Sequence, residues 1–160
     1  MDKVKLLEAL QTQLLNDLTL AKSAAQATYE AITHEENKAE NEYDTRGLEA
    51  TYLAHAQTKR VVEIEEILVI CKHVKVKNFQ AEDKINSTAL VEVESEDGKR
   101  SLFFILAKGG GVTFQFEGKT IQIITPSSPL GEALQDLTEG DAAVIDSGNS
   151  TKEFEILKVW

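Results

Sequence analysis

Between Thr33 and Arg46 the chain reads Thr-His-Glu-Glu-Asn-Lys-Ala-Glu-Asn-Glu-Tyr-Asp-Thr-Arg, a stretch that holds the acids Glu35, Glu36, Glu40, Glu42 and Asp44. Carboxylates this close repel one another unless they are solvated or shared with a cation. Glu36 and Glu40 share a face at i and i+4 if this stretch is helical, and they can converge if it is a loop. The plain alternative is a solvated turn whose acids are favoured at a helix N-terminus. His34, His55 and His73 are far apart along the chain and make no shared metal site. Tyr43 can stack on a base or simply pack.

Two helical seams position the acidic stretch. On the N-terminal side, Val4, Leu7, Leu14, Leu18, Ala21, Ala25, Thr28 and Ile32 recur in steps of three and four, with Gln11 as the polar interruption. On the other side, Tyr43, Gly47, Ala50, Ala54, Gln57, Val61, Ile64, Leu68 and Cys71 repeat the pattern, while Leu48, Tyr52 and Val62 mark a second possible register. Folded antiparallel, the first seam sets Leu7 against Leu68, Leu14 against Val61, Leu18 against Gln57 and Ile32 against Tyr43. The bend then falls between Asn37 and Lys38, where Thr33 with Glu36, or Asn37 with Glu40, has capping-box spacing. Arms of about 30 residues reach roughly 45 Å at 1.5 Å per residue.

Composition narrows the function classes. The 160 residues carry 17 bases against 27 acids, a net charge of −10, which argues against independent, charge-driven binding of DNA or RNA. One cysteine excludes an intramolecular disulfide and a cysteine-only zinc site. The N-terminus lacks the apolar core of a signal peptide, and no apolar run approaches the roughly 18 residues of a membrane span. The expectation is a cytoplasmic protein without membrane contact.

The helical period fades near residue 76, which divides the chain into a helical hairpin over 1–75 and a β-rich domain over 76–160. Ala89 to Glu94 alternates as a strand, Glu96-Asp97-Gly98-Lys99 turns, and Ser101 to Leu106 returns. Val112 to Phe116, Thr120 to Thr125, Ala142 to Ile145 and Phe154 to Trp160 read as further strands. Gly109-Gly110-Gly111 lacks the Gly-Lys-Ser/Thr ending of a phosphate loop and reads as a flexible loop. Ser128 caps a short helix with Pro129 at its first position and Leu130, Ala133, Leu134 and Leu137 on one face. The fold class is α+β: an antiparallel coiled-coil hairpin joined to a small antiparallel sheet carrying one helix.

Glu40-Asn41-Glu42-Tyr43, followed by a seam ending Arg60-Val61-Val62-Glu63-Ile64-Glu65-Glu66-Ile67-Leu68, resembles the hairpin of Gre-type transcript-cleavage factors, bacterial transcription elongation factors that act on RNA polymerase. Ser128-Pro129-Leu130-Gly131-Glu132-Ala133-Leu134, then Glu139-Gly140-Asp141, then Phe154-Glu155-Ile156-Leu157-Lys158-Val159, is similar to that family's final helix, turn and last strand.

The resemblance implies a C-terminal domain like the FK506-binding-protein fold, docked on the largest-subunit coiled coil of RNA polymerase through the turn at Ser128, Pro129, Leu130 and Gly131. It also implies a hairpin in the polymerase's secondary channel. Glu36 and Glu40, with Glu35, Glu42 and Asp44 as substitutes, would then help hold a polymerase Mg²⁺ while the polymerase cleaves backtracked RNA. The factor would be no enzyme by itself and would bind no cofactor alone.

In the family pattern an acid stands three residues before Glu-Asn. Here Asn37 holds that place and the nearest acid upstream is Glu36. This departure keeps open a channel-binding regulator that does not stimulate cleavage. A peptidyl-prolyl isomerase or chaperone module is the alternative from another class. Arg46, Lys59 and Arg60 form no wide basic stripe, so weak assistance with long backtracked RNA is expected.

Overall fold

The computed structural model describes residues 1–33, 46–146, 148 and 150–160. Its first two elements are helices, α1 (Lys3–Thr33) and α2 (Arg46–His73). Asp2 opens α1, its Oδ1 accepting from the Val4 and Lys5 amides at 3.0 and 3.2 Å. Lys72 and His73 lie in the last turn of α2, where positive charge suits the helix dipole. The bend expected at Asn37–Lys38 and both capping boxes fall on or extend into residues outside those described.

The helices pair antiparallel through the expected seams. Leu7, Leu14, Ile64 and Cys71 are buried, whereas Leu48, Tyr52 and Val62 of the rival register are 56%, 68% and 48% exposed. Two details differ. Val4 is 56% exposed, because the first turn of α1 buries Lys3 and Leu6 instead.

The pairing is also displaced. Gln11 Nε2 donates to the Cys71 carbonyl at 3.0 Å, a register that, continued along the arms, turns Leu14 towards Leu68 and Leu18 towards Ile64; Lys22 reaches Glu65 at 2.7 Å, further along α2 still. The Gln11 register is one heptad along α2 from the expected Leu14–Val61 and Leu18–Gln57 pairs. A seam that repeats every seven residues is equally apolar in either register, so spacing alone does not separate them.

The remaining elements are β1 (Leu90–Ser95), β2 (Arg100–Ile105), β3 (Thr113–Phe116), β4 (Lys119–Ile124), α3 (Pro129–Leu134), β5 (Ala142–Asp146) and β6 (Thr151–Val159). They form a sheet in the order β3-β4-β2-β1-β6-β5. The α+β class stands, with a mixed rather than wholly antiparallel sheet, since β2 and β4 run parallel.

The glycine run is the reason. Gly109 and Gly111 take φ of 91° and 90°, and the Gly111 amide donates to Ile123 O at 2.9 Å. The chain thereby skips one strand position before forming β3, then turns at Glu117-Gly118 so that β4 fills the gap beside β2. Gly109–Gly111 is thus a bonded turn rather than a free loop.

Both faces of the sheet are buried. Leu90 stands opposite Phe104, which stands opposite Ile123, and all three are inaccessible to solvent. The other face carries Val91, Val93, Ile105, Ile124, Ala143 and Ile156 in one core, against which Leu130, Ala133 and Leu137 pack beside the buried Leu134.

The chain divides into two compact units, Met1–Gln11 with Val69–Trp160, and Thr12–Leu68. Among the described residues no helix is long and apolar enough to cross a membrane.

Candidate functional site

Ser128, Pro129, Leu130 and Gly131 come together at the start of α3. Ser128 adopts an extended backbone, and its Oγ accepts from the Gly131 amide at 3.1 Å while donating to Thr125 O at 2.7 Å. Pro129 occupies the first helical position, where its missing N–H costs nothing. Gly131 is required by space. A Cβ there would lie 2.0 Å from the Thr125 carbonyl oxygen, so only glycine lets the helix approach β4 this closely. The result is a rigid corner with Pro129 and Glu132 exposed and Leu134 buried.

The turn after α3 is equally constrained. Asp141 Oδ2 accepts from the Thr138 amide and hydroxyl at 2.8 and 2.9 Å, and these bonds hold its carboxyl below the usual range. Gly140, at φ 91°, donates to Ile156 O at 2.9 Å, and Glu139 Oε2 accepts from the Val159 amide at 3.2 Å. Glu139-Gly140-Asp141 therefore ties α3 to β6.

A second polar centre was not legible in the sequence. Lys3 is buried, and its ammonium donates to the carbonyls of Lys77, Thr88 and Trp160, the last two at 2.9 and 2.7 Å. It also lies 4.6 Å from the centre of the Phe79 ring. Thr88 is held at φ 69°, its Oγ1 accepting from the Lys77 amide at 3.1 Å. Burial, and then the charge on Lys77, pull the Lys3 ammonium down to about 8. Its only sequence signal was a charge beside apolar positions at helical spacing.

None of this is a catalytic constellation. Burial pushes the Cys71 thiol up to about 11, which keeps it protonated and unreactive. Among the described residues no group of three or more His, Cys, Asp or Glu is placed to hold a metal. Glu35, Glu36, Glu40, Glu42 and Asp44, with Tyr43 and His34, lie outside the described residues.

A helical hairpin followed by a mixed sheet with a proline-started helix defines an α+β protein. Residues 80–160 match the family described as "Transcription elongation factor, GreA/GreB, C-term". The chain belongs to the GreA/GreB family of transcription elongation factors.

Among solved structures it is similar to GreA factor homolog 1 (Gfh1) of Thermus thermophilus, with 20% identity, 94% of each chain covered and a TM-score of 0.37. Gfh1 of Thermus aquaticus follows with 18% identity, 95% of this chain and 94% of that one covered and a TM-score of 0.38. The "prokaryotic transcription elongation factor GreA/GreB" of Nitrosomonas europaea gives 16% identity, 60% and 78% coverage and a TM-score of 0.36. These TM-scores lie below 0.5, so membership rests on the match over residues 80–160. No curated protein matches the chain.

Proposed function

We propose that this chain is a cytoplasmic transcription factor that binds RNA polymerase through its secondary channel and stimulates Mg²⁺-dependent cleavage of backtracked RNA. The observation that carries the reading is the family match across residues 80–160. In this reading the corner at Ser128, Pro129, Leu130 and Gly131 docks on the largest-subunit coiled coil, and the helical hairpin enters the channel.

Glu36 and Glu40 then offer carboxylate oxygens to a metal of the polymerase, with Glu35, Glu42 and Asp44 as substitutes. Two hard oxygen donors on a short segment suit Mg²⁺, which would supply charge stabilisation to the attacking and leaving oxygens. The chain needs no active site and no bound cofactor of its own. Backtracked RNA is met only indirectly.

A second reading keeps the channel and drops the chemistry. It is favoured by Asn37, which stands where the family pattern places the first acid, three residues before Glu40-Asn41. The isomerase alternative is disfavoured by packing. Phe104 and Phe114 are buried in the core, so these aromatics do not line an exposed cleft.

The test adds the protein to a stalled, backtracked polymerase complex with Mg²⁺ and follows the RNA 3′ end. Cleavage that is lost in the Glu36→Ala, Glu40→Ala double variant supports the proposal. Binding without cleavage establishes the regulator instead, and absence of binding sinks both.

A further inference from the structure

The sheet has an opening in its interior. Strand β6 runs nine residues, Thr151–Val159, but β1 pairs with it only from Ser95↔Phe154 to Val91↔Val159. Thr151, Lys152 and Glu153 pair with β5 on one side, and among the described residues no strand pairs with them on the other. The β1–β2 turn leaves the sheet at this point, its Gly98 amide donating to Ser95 O at 2.8 Å. Main-chain donors and acceptors on an open strand edge are a template for another extended chain.

The charges around the opening are only partly neutralised within the fold. Glu94 stands directly across from Glu155, a facing like-charged pair that costs stability. Glu92 by contrast faces Lys158, and Glu94 is compensated by Arg100 at 2.7 Å, which leaves the acids of β6. Among the described residues Glu153 and Glu155 have no cationic partner, and both are exposed. Glu155 is the last acid of the paired ladder and Glu153 stands on the open edge beside it, and neither gains the sheet any stability.

Two hollows adjoin this edge and share Ser95, Glu96 and Glu153. One of about 350 Å³ has Phe154 in its wall, with Lys152, Thr151 and Asp97 around it. The other, about 250 Å³, is bordered by Glu94, Glu96, Glu153 and Glu155. Phe154 belongs to the core face of the sheet, and Glu94 and Glu155 to the opposite one, so a strand added here would send alternate side chains towards Phe154 and towards the acids.

We infer that this opening is a docking site for an extended partner segment that alternates basic and apolar residues, pairing with the Thr151–Glu153 edge. Its basic side chains lie among Glu94, Glu96, Glu153 and Glu155, and its apolar ones reach Phe154. Charge complementarity selects the sequence, and the free edge selects the extended conformation. The site is separate from the Ser128 corner and does not depend on the polymerase reading.

A fluorescent, end-blocked hexapeptide of alternating lysine and valine tests this by polarisation against the full-length protein. The expected result is saturable binding that weakens at least tenfold in the Glu153→Gln, Glu155→Gln double variant. Those exposed substitutions relieve like-charge repulsion, so the variant's melting temperature is expected to hold or rise, which separates lost docking from lost folding.

A second peptide carries methyl groups on alternate main-chain nitrogens along one edge. Its binding is expected to fail, since ionic attraction survives methylation and strand pairing does not. Equal binding of the methylated peptide, equal binding to the double variant, or self-association of the protein that occupies the edge and excludes the peptide would each overturn the inference.

Discussion

The Lys3 ammonium lies 2.9 Å from the main-chain oxygen of Thr88, a residue 85 positions further along the chain. One end of this contact is the first turn of α1, and the other is a non-glycine residue held at φ 69° just before β1. A left-handed threonine persists only where its surroundings fix it. Here the Lys77 amide bonds its hydroxyl, its own amide donates to Ile105 O at 2.9 Å, and Lys3 occupies its carbonyl.

Lys3→Met leaves carbonyls at Lys77 and Thr88 without this donor, a loss of about 1–3 kcal/mol that relief of the buried charge offsets at pH 7, so the variant is read by its pH dependence. The pH dependence has a definite sign. Folding lowers the Lys3 ammonium from 10.5 to about 8, so between these values the unfolded chain binds more protons and stability rises with pH. The penalty on the buried charge is fully present below pH 8 and is relieved by about 3 kcal/mol as pH climbs to 10.5. Urea titrations from pH 7 to 10.5 are expected to show a rise in the parent that Lys3→Met lacks. Parallel curves for the two proteins would refute the assignment.

Gly131→Ala is expected to cost about 3 kcal/mol or more, since the new Cβ would meet the Thr125 carbonyl oxygen at 2.0 Å and a backbone oxygen cannot swing away. Ser128→Ala removes only a cap and is expected to cost about 1 kcal/mol. Chemical denaturation of both variants checks the ranking. A Gly131→Ala protein as stable as Ser128→Ala would show that α3 does not sit against β4 as described.

What the residues disclosed follows from how local each signal is. Leu130, Ala133 and Leu134 mark α3 and Ser128 its cap because those signals lie within a few positions of one another. The hairpin turn at Glu96–Lys99 was legible for the same reason, and Gly98 holds it at φ 77°. The parallel β2–β4 pairing was not, since Leu102 and Ile121 look alike in either direction and only the Gly109–Gly111 detour decides. Lys3 was invisible as a core residue because its partners are backbone carbonyls, which every sequence contains. The acids from Glu35 to Asp44 were the plainest signal in the chain, and they lie outside the described residues.

The heptad displacement between α1 and α2 can be read directly by cross-linking. The register of Gln11 reaching Cys71 O turns Leu18 towards Ile64, and Lys22 reaching Glu65 lies further along α2 in the same direction, whereas the spacing of the seams alone set Leu18 beside Gln57. A disulfide needs Cα atoms within about 7 Å, and one heptad of slip along a helix moves a partner by about 10 Å. In a Cys71→Ala background, Leu18→Cys with Ile64→Cys is therefore expected to oxidise to an intramolecular bond, and Leu18→Cys with Gln57→Cys is not. Gel mobility under non-reducing conditions distinguishes them. If the Gln57 pair closed and the Ile64 pair stayed open, the arms would meet in the register read from spacing, and the contacts of Gln11 and Lys22 would have to be abandoned as its guide.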